Sequence, residues 1–426
     1  MTEAFLQYVW HHQMLDRGLT TTDGQPVVVL RPGDLNRDAG PDFFNAHLQV
    51  GDMEWVGNIE VHIHTSDWKS HRHSEDAAYN NIILHVVYEH DCEITLQNGT
   101  TPLTLELKPY MHPSLVEHYD ALMSPVEAES IPCRHQLPEV PQLVRSSTLE
   151  RLAMERIEGK SEIVHRMLDE SHGGWEQTCY WLVAHYFGGK VNALPFELLA
   201  KSTDQRLLAR WKDDPCRLEA LLMGQAGFLN NYFEDDYPRK LQADYDALRS
   251  GANLEPMGSH LWKFYRIRPS SFPTIRISQF AQLMHHSSNL FATLLDINDV
   301  HDIEKLFNQE ASDYWIDHYK FDVPASRPTH KHIGKMLTQS LIINAWVPLL
   351  YVYGAMRGEQ IYKDQAIGLL MQLPPEDNAV VRRWQQAGIA AVNAAETQAL
   401  LQLDSHYCQS NRCLECRIGY HILKHK

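Results

Sequence analysis

Basic residues are scarce in this chain of 426 residues: 38 lysines and arginines stand against 54 aspartates and glutamates, a formal charge of −16. That balance argues against a protein that coats nucleic acid with a general positive surface. It does not exclude a nuclease, because a metal site is acidic before its ions bind and a local basic groove can sit within a negative total. Long apolar runs are absent as well. The most apolar stretch, Leu341–Tyr353, falls short of the roughly 20 residues a bilayer crossing takes and contains Asn344 and Pro348, so a buried core helix and no membrane partner are expected. The opening segment MTEAFLQYVWHHQMLDRG has no basic region ahead of an apolar run and no small-residue cleavage site. It reads as an amphipathic helix rather than a signal peptide, and a cytoplasmic location is expected. Cysteine is sparse, at seven. Without an export signal these point to a reducing compartment, where metal ligation or plain burial outranks disulfides. Internal repeats and low-complexity tracts are missing too, while 44% hydrophobic and 22% charged residues describe an ordinary globular chain, long enough for two or three cores.

What is present divides near residue 140. Phe5, Leu6, Val9, Trp10 and Met14 recur at helical spacing, predicting an opening helix over 3–16. Pro26–Leu30 is a β-branched strand closed by Arg31-Pro32-Gly33. Residues 43–50 and 54–64 are two extended runs joined by Gly51-Asp52, a hairpin signal. A helix is expected near 74–81, followed by strands over 82–89 and 93–107, the latter bent at Asn98-Gly99. From about 143 onward the pattern becomes helical, over 149–168, 176–187, 205–224, 276–296, 334–353 and 360–372, with prolines clustered at 138–141 and 269–273. The expected fold is α+β: a mixed-sheet domain over 1–140, then a large all-α domain over 141–426.

The densest polar stretch is Asp34–His73. Antiparallel pairing about the Gly51-Asp52 turn sets Asp42 across from about His62, and Glu60 across from about Phe44. Strand alternation points Glu60, His62 and His64 one way and Ile59, Val61 and Ile63 the other. Carboxylates converging at the open end of a hairpin repel unless a cation or proton relieves them, and a hard divalent ion is one such relief. Gly40-Pro41 would fix the approach of Asp42. Pro41-Asp42 on one strand and Glu60-Val61-His62 on the next resemble the PD-(D/E)XK nuclease superfamily, whose αβββαβ core carries an Asp and then a Glu-X-Lys. That resemblance implies a restriction-endonuclease-like sheet domain, with Asp42 and Glu60 binding Mg²⁺ or Mn²⁺ and the Val61 carbonyl as a further ligand. His62, standing where the superfamily has Lys, would orient or deprotonate the attacking water. The departure removes a fixed positive charge from the site.

Two other readings of the stretch stay open. Asp42 and Glu60 can belong to an exposed polar hairpin face. Alternatively, the crowding of His62, His64, Asp67, His71 and His73, with Asp38 upstream, fits a zinc or other transition-metal hydrolase. Trp68 is expected in the core. Asp76, Tyr79 and His85 are placed to line the same pocket, although a hydrogen-bonded core histidine is the plainer account of His85.

A second constellation closes the chain, Cys408-X4-Cys413-X2-Cys416, for which Cys133 is the best fourth ligand. A distant cysteine joined to a terminal triplet resembles the iron–sulfur staple of certain recombination and CRISPR-associated nucleases. There the short gap of the triplet comes first; here it comes last. An iron–sulfur cluster, Zn²⁺ held by four thiolates, and simple packing all remain available, and Cys92, Cys179 and Cys216 read as core. In the helical half, Arg266, Arg268 and Arg276 form either a phosphate-binding rim or a solvated edge, and Gly224-Gln-Ala-Gly227 looks like a close-packing or capping element.

Taken whole, the chain resembles the domain of unknown function 2851 family. The resemblance rests on Asp38-Ala-Gly-Pro-Asp-Phe43, Gly57-Asn-Ile-Glu-Val-His62, Ser66-Asp-Trp68, Ile83-Leu-His-Val-Val87, Gly224–Gly227, Arg268-Pro269 and Cys413-Leu-Glu-Cys416. The family implies no activity. Three functions are therefore carried forward: a metal-dependent phosphodiesterase acting on DNA or RNA, a zinc hydrolase built on the histidines, and a non-catalytic interaction protein on a degenerate nuclease scaffold. Oligomeric state is not readable from the sequence.

Overall fold

The computed structural model describes residues 1–36, 38–123, 131–252, 254–287 and 289–424. It resolves into two compact units. The first comprises Met1–Thr148, Arg382–Ile389 and Leu403–Lys426, and the second Leu149–Val381 and Ala390–Gln402. The division expected at residue 140 is therefore corrected. The end of the chain does not continue the helical domain but belongs to the sheet unit, because the terminal helix Arg417–Lys424 carries an apolar stripe of Ile418, Ile422 and Leu423 that is buried there.

The sheet unit opens with α1 (Glu3–His11), capped by the Thr2 side chain, which accepts from the Phe5 amide. A helix this short does not persist alone in water. Burial of Phe5, Leu6, Val9 and Trp10, roughly 1.5–3 kcal/mol for each large apolar side chain, holds it in place. Next come β1 (Val27–Arg31), β2 (Asp34–Leu35), β3 (Phe43–Val50) and β4 (Met53–His64). The short helix α2 (Asp67–Ser70) and two 3-10 turns, His73–Glu75 and Ala77–Tyr79, lead to β5 (Ile82–Glu89), β6 (Leu103–Glu106) and α3 (Pro113–Met123). The helix expected at 74–81 is thus replaced by shorter turns, and of the strand expected over 93–107 only 103–106 forms. The strand order is β1-β3-β4-β5-β6, with β2 beside β3. The β1/β3 and β3/β4 pairs are antiparallel and the β4/β5 and β5/β6 pairs parallel. One face of the sheet presents Phe43, Ala46, Ile59, Val61, Leu84 and Val86, all at most 1% exposed. On the other face a small apolar cluster of Trp68, Tyr79, Ile82, Ile94 and Leu96 walls the polar residues described below.

The second unit is helical, as its periodicity predicts, with helices at Trp175–Phe187, Pro215–Gln225 and Gln360–Gln372 among others. The pattern over 276–296 divides into Pro273–His286 and Leu290–Leu295, and residue 288 lies outside the described residues. The unit is not wholly α, since β7 (His318–Lys320) and β8 (Val323–Pro324) form a small antiparallel ribbon. The apolar stretch around 341–353 belongs to a continuous helix over Lys335–Arg357, long and apolar enough to cross a membrane. Two thirds of its apolar window is buried inside the unit, with Trp346, Val347 and Leu350 fully enclosed, so it serves as a core helix. The 224–227 element is a close-packing device: a Cβ on Gly224 would lie 2.2 Å from the Tyr245 ring, and Gly227 takes φ +78°. Arg276 is not part of a solvated rim, because it is half-buried and bonds Gln279 and Ser271.

Candidate metal centre

The site is built by a register shift. From Val50↔Met53 back to Ala46↔Gly57 the β3/β4 ladder is regular, and continued unbroken it would set Asp42 opposite Val61, on the apolar face. Between Ala46 and Phe43 one residue is bulged out. Asn45 adopts φ +57°, Phe43 pairs with Ile59, and everything before the bulge changes face. Asp42 therefore meets Glu60, not His62 as simple hairpin counting expects. Two hydrogen bonds fix Asp42 here: its amide donates to Glu60 Oε2 at 3.0 Å, and its Oδ2 accepts from the Val61 amide at 3.0 Å.

Around Glu60 stand three imidazoles. His73 Nε2 is 3.2 Å and His62 Nε2 3.6 Å from Glu60 Oε1, while His62 Nε2 lies 3.1 Å from His71 Nδ1. Among the described residues, His62, His71 and His73 form the one group of three or more potential ligands whose donor atoms all lie within 4.8 Å of one another. The strand positions His62. The other two come from the turn after α2, where Arg72 holds φ +60° and ψ +29°, the left-handed region. A non-glycine residue there is strained by about 1–2 kcal/mol, and the bend turns the side chains on either side of it toward one point. His62 and His73 are buried; His71 is exposed, so the cluster has a side open to solvent.

Behind the cluster lies His85 on β5, fully buried, with Nε2 2.8 Å from His62 Nδ1. In the parallel β4/β5 register it sits directly beside Glu60. The expectation of a hydrogen-bonded core histidine is met, yet its partner is a site residue. Burial holds His62 at about 2 and His85 at about 3, with neighbouring histidines adding to the effect, so both rings stay neutral. One proton sits between each close pair of nitrogens. Which ring of each pair donates follows from its tautomer. With its Nε2 lone pair engaged by a cation, His62 would give its Nδ1 proton to His85. Buried His73 Nε2 lies 3.2 Å from Glu60 Oε1 yet makes no hydrogen bond, which leaves it placed to meet an ion. Burial first, and then the Glu60 charge, raise the Asp42 carboxyl well above the usual carboxylate range. Neutral imidazoles, a buried ring nitrogen without a hydrogen bond and crowded carboxyls together fit a divalent cation.

The other sequence-derived candidates fall elsewhere. His64 shares the face of His62 but is half exposed and lies 3.7 Å from Asp67, whose carboxylate also accepts from the His64 amide. Asp38 is exposed, its amide bonded to Asn36 Oδ1 in the preceding turn. These three stand outside the histidine cluster. Trp68 is fully buried as expected, and its ring centroid lies 5.2 Å from His73 and 5.1 Å from His85. Tyr79 packs 3.9 Å from the His73 ring. Sequence reasoning overlooked Glu3 and Gln7 on α1. Burial raises the Glu3 carboxyl, which His71 and His73 pull back down, and Gln7 hydrogen-bonds Asp42. Their spacing of four on one face of an otherwise apolar helix is the signal that could have found them.

In the same unit, Cys133, Cys408, Cys413 and Cys416 line a single cavity. Burial, and then the proximity of the other thiols, push Cys133 and Cys408 far up and Cys413 to about 11.

An α+β protein with a bulged mixed sheet and a histidine–carboxylate cluster at its strand ends is the class these features define. The family model described as a protein of unknown function, DUF2851, matches residues 3–379, and the chain belongs to that family. No curated protein and no solved structure matches it.

Proposed function

We propose that the protein is a metal-dependent hydrolase of phosphodiesters, with nucleic acid as the substrate class. Its ion would be a transition metal such as Zn²⁺ or Mn²⁺, gripped by His62, His71, His73 and Glu60. The single observation carrying this reading is the convergence of three imidazole donors within 4.8 Å beside the Glu60 carboxylate. Imidazole-rich donor sets suit zinc and its neighbours, whereas Mg²⁺ prefers oxygen alone. The expected Mg²⁺ arrangement of Asp42, Glu60 and the Val61 carbonyl is accordingly the weaker description of the ion's seat.

The phosphodiester part of the proposal draws support from topology. With the two-residue β2 set aside, the order α1, β1, β3, β4, α2, β5 would correspond to the αβββαβ core of PD-(D/E)XK nucleases, in which Asp42 and Glu60 would be the paired acids. A bound ion would supply Lewis acidity and lower the pKa of a coordinated water. Asp42, beside that position, would accept a proton or orient the water, and His85 would hold the His62 tautomer.

The test is metal analysis of the purified chain together with cleavage of single- and double-stranded DNA and RNA in Zn²⁺, Mn²⁺ or Mg²⁺. About one ion per chain is expected, lost in His62→Ala and His73→Ala, with cleavage abolished in Glu60→Gln. A chain that binds no ion, or whose ion content ignores those substitutions, refutes the metal centre. A loaded centre without cleavage refutes only the phosphodiester part.

A further inference from the structure

Four of the seven cysteines come together although one of them is separated from the rest by most of the chain. Cys133 lies just beyond α3, and Cys408, Cys413 and Cys416 precede and enter the turn before the terminal helix. All four border one cavity, whose remaining wall is apolar and includes Leu122, Trp384 and Ile418. The loop bearing Cys413 and Cys416 is closed by an unusually near approach of the terminal helix. A Cβ on Gly419 would stand 2.1 Å from the Cys413 carbonyl oxygen, so only glycine fits there. The turn is fastened by the Cys416 amide donating to the Cys413 carbonyl, and by the Tyr420 amide donating to Cys416.

Ordinary packing accounts poorly for four thiols around one cavity, since apolar side chains would fill it better. A zinc ion with Zn–S bonds of about 2.3 Å holds its four sulfurs on the order of 4 Å apart. Here the four cysteines are not among the described donor groups gathered within 4.8 Å. A cubane of four irons and four sulfides binds one thiolate at each iron corner and so spreads its ligands more widely. A dry, apolar wall also protects such a cluster from water.

We infer that Cys133, Cys408, Cys413 and Cys416 ligate an iron–sulfur cluster that fastens the end of the chain to the segment after α3. The inference is independent of the histidine centre, which shares none of these residues.

The full chain is purified without oxygen and assayed for iron, acid-labile sulfide and zinc, with an absorption spectrum. About four irons and four sulfides per chain and a broad band near roughly 400 nm are expected. Cys413→Ser and Cys408→Ser should lose at least half the iron, and Cys92→Ser, outside the group, should keep it. If the serine variants fail to fold, the iron and sulfide content of the unaltered chain decides the matter. A colourless chain carrying zinc at the cysteines overturns the inference. So does a chain that takes up no iron when incubated anaerobically with ferrous ion, sulfide and reductant.

Discussion

Replacing His85 with leucine separates a metal centre from a merely packed histidine cluster. His85 reaches no solvent and hydrogen-bonds the histidine cluster through His62 Nδ1, 2.8 Å away. In the metal-free chain the substitution removes one hydrogen bond, worth about 1 kcal/mol. It also removes the His85 Nδ1 atom, which is buried without a partner and costs a comparable amount. The metal-free unfolding midpoint should therefore change little, by the equivalent of about 1 kcal/mol or less. Metal affinity should change a great deal, because a ligating histidine that loses the acceptor of its other ring proton typically weakens binding by about 10–100-fold. At free metal near 100 times the native dissociation constant, binding stabilises the native chain by about 2.7 kcal/mol; a loss of about 30-fold leaves about 0.9 kcal/mol. The assay is thermal unfolding of both proteins with and without zinc, backed by competition against a chelator. If zinc raises the midpoint of His85→Leu as far as it raises that of the native chain, the second-sphere role is wrong. If zinc shifts neither protein, the metal centre itself is wrong.

Three further outcomes follow from the geometry. Burial, and then neighbouring Arg156, lower Lys160 to about 7, its ammonium enclosed by Asn344 and Gln398 while part of the side chain stays exposed. The native chain thus binds fewer protons than the unfolded one between there and the ordinary lysine value of 10.5, and stability should rise with pH across that window, by an amount on the order of 2 kcal/mol after allowance for partial exposure. Urea unfolding of the native chain and of Lys160→Met should show the slope in the first and not the second. At Arg72, glycine should be tolerated within about 0.5 kcal/mol, whereas valine should cost about 1–2 kcal/mol or more and weaken zinc binding, read from thermal midpoints and chelator competition. Gly224→Ala should cost about 2–3 kcal/mol in denaturant unfolding, because the new methyl group collides with a Tyr245 ring whose hydroxyl is tied to Gln225; an unchanged midpoint would contradict the packing.

Much of the fold is legible in the residues themselves. The strands at 43–50 and 54–64 and the helices at 175–187 and 360–372 follow from local periodicity, which is a property of neighbours in sequence. The polar face of the hairpin is legible for the same reason. What local pattern does not carry is the position of a single inserted residue. Asn45 looks like any strand asparagine, and only the pairing of Phe43 with Ile59 reveals that it reverses the face of Asp42. The approach of His71 and His73 to His62 depends on a left-handed Arg72, a conformation no arginine advertises. Glu3 and Gln7 reach the site from a helix well before the hairpin, a tertiary relation invisible to spacing. The terminal triplet is legible as a close group of cysteines, but the membership of 403–426 in the sheet unit depends on burial of Ile418, Ile422 and Leu423 against partners far away in sequence.

The discontinuity of the sheet unit has a bearing on how the protein comes into being. During synthesis its first 148 residues emerge early, and the pieces that complete it, 382–389 and 403–426, emerge only after nearly all of the helical unit has been made. Until then α1 and α3 lack the buried terminal helix and Cys133 lacks its three companions, so the early segment must wait, partly uncovered, for the tail to arrive. A ribosome stalled near residue 400 would hold a chain whose helical unit has almost all its residues and whose sheet unit does not. For this molecule, shortening the tail is a wound to the beginning of the chain.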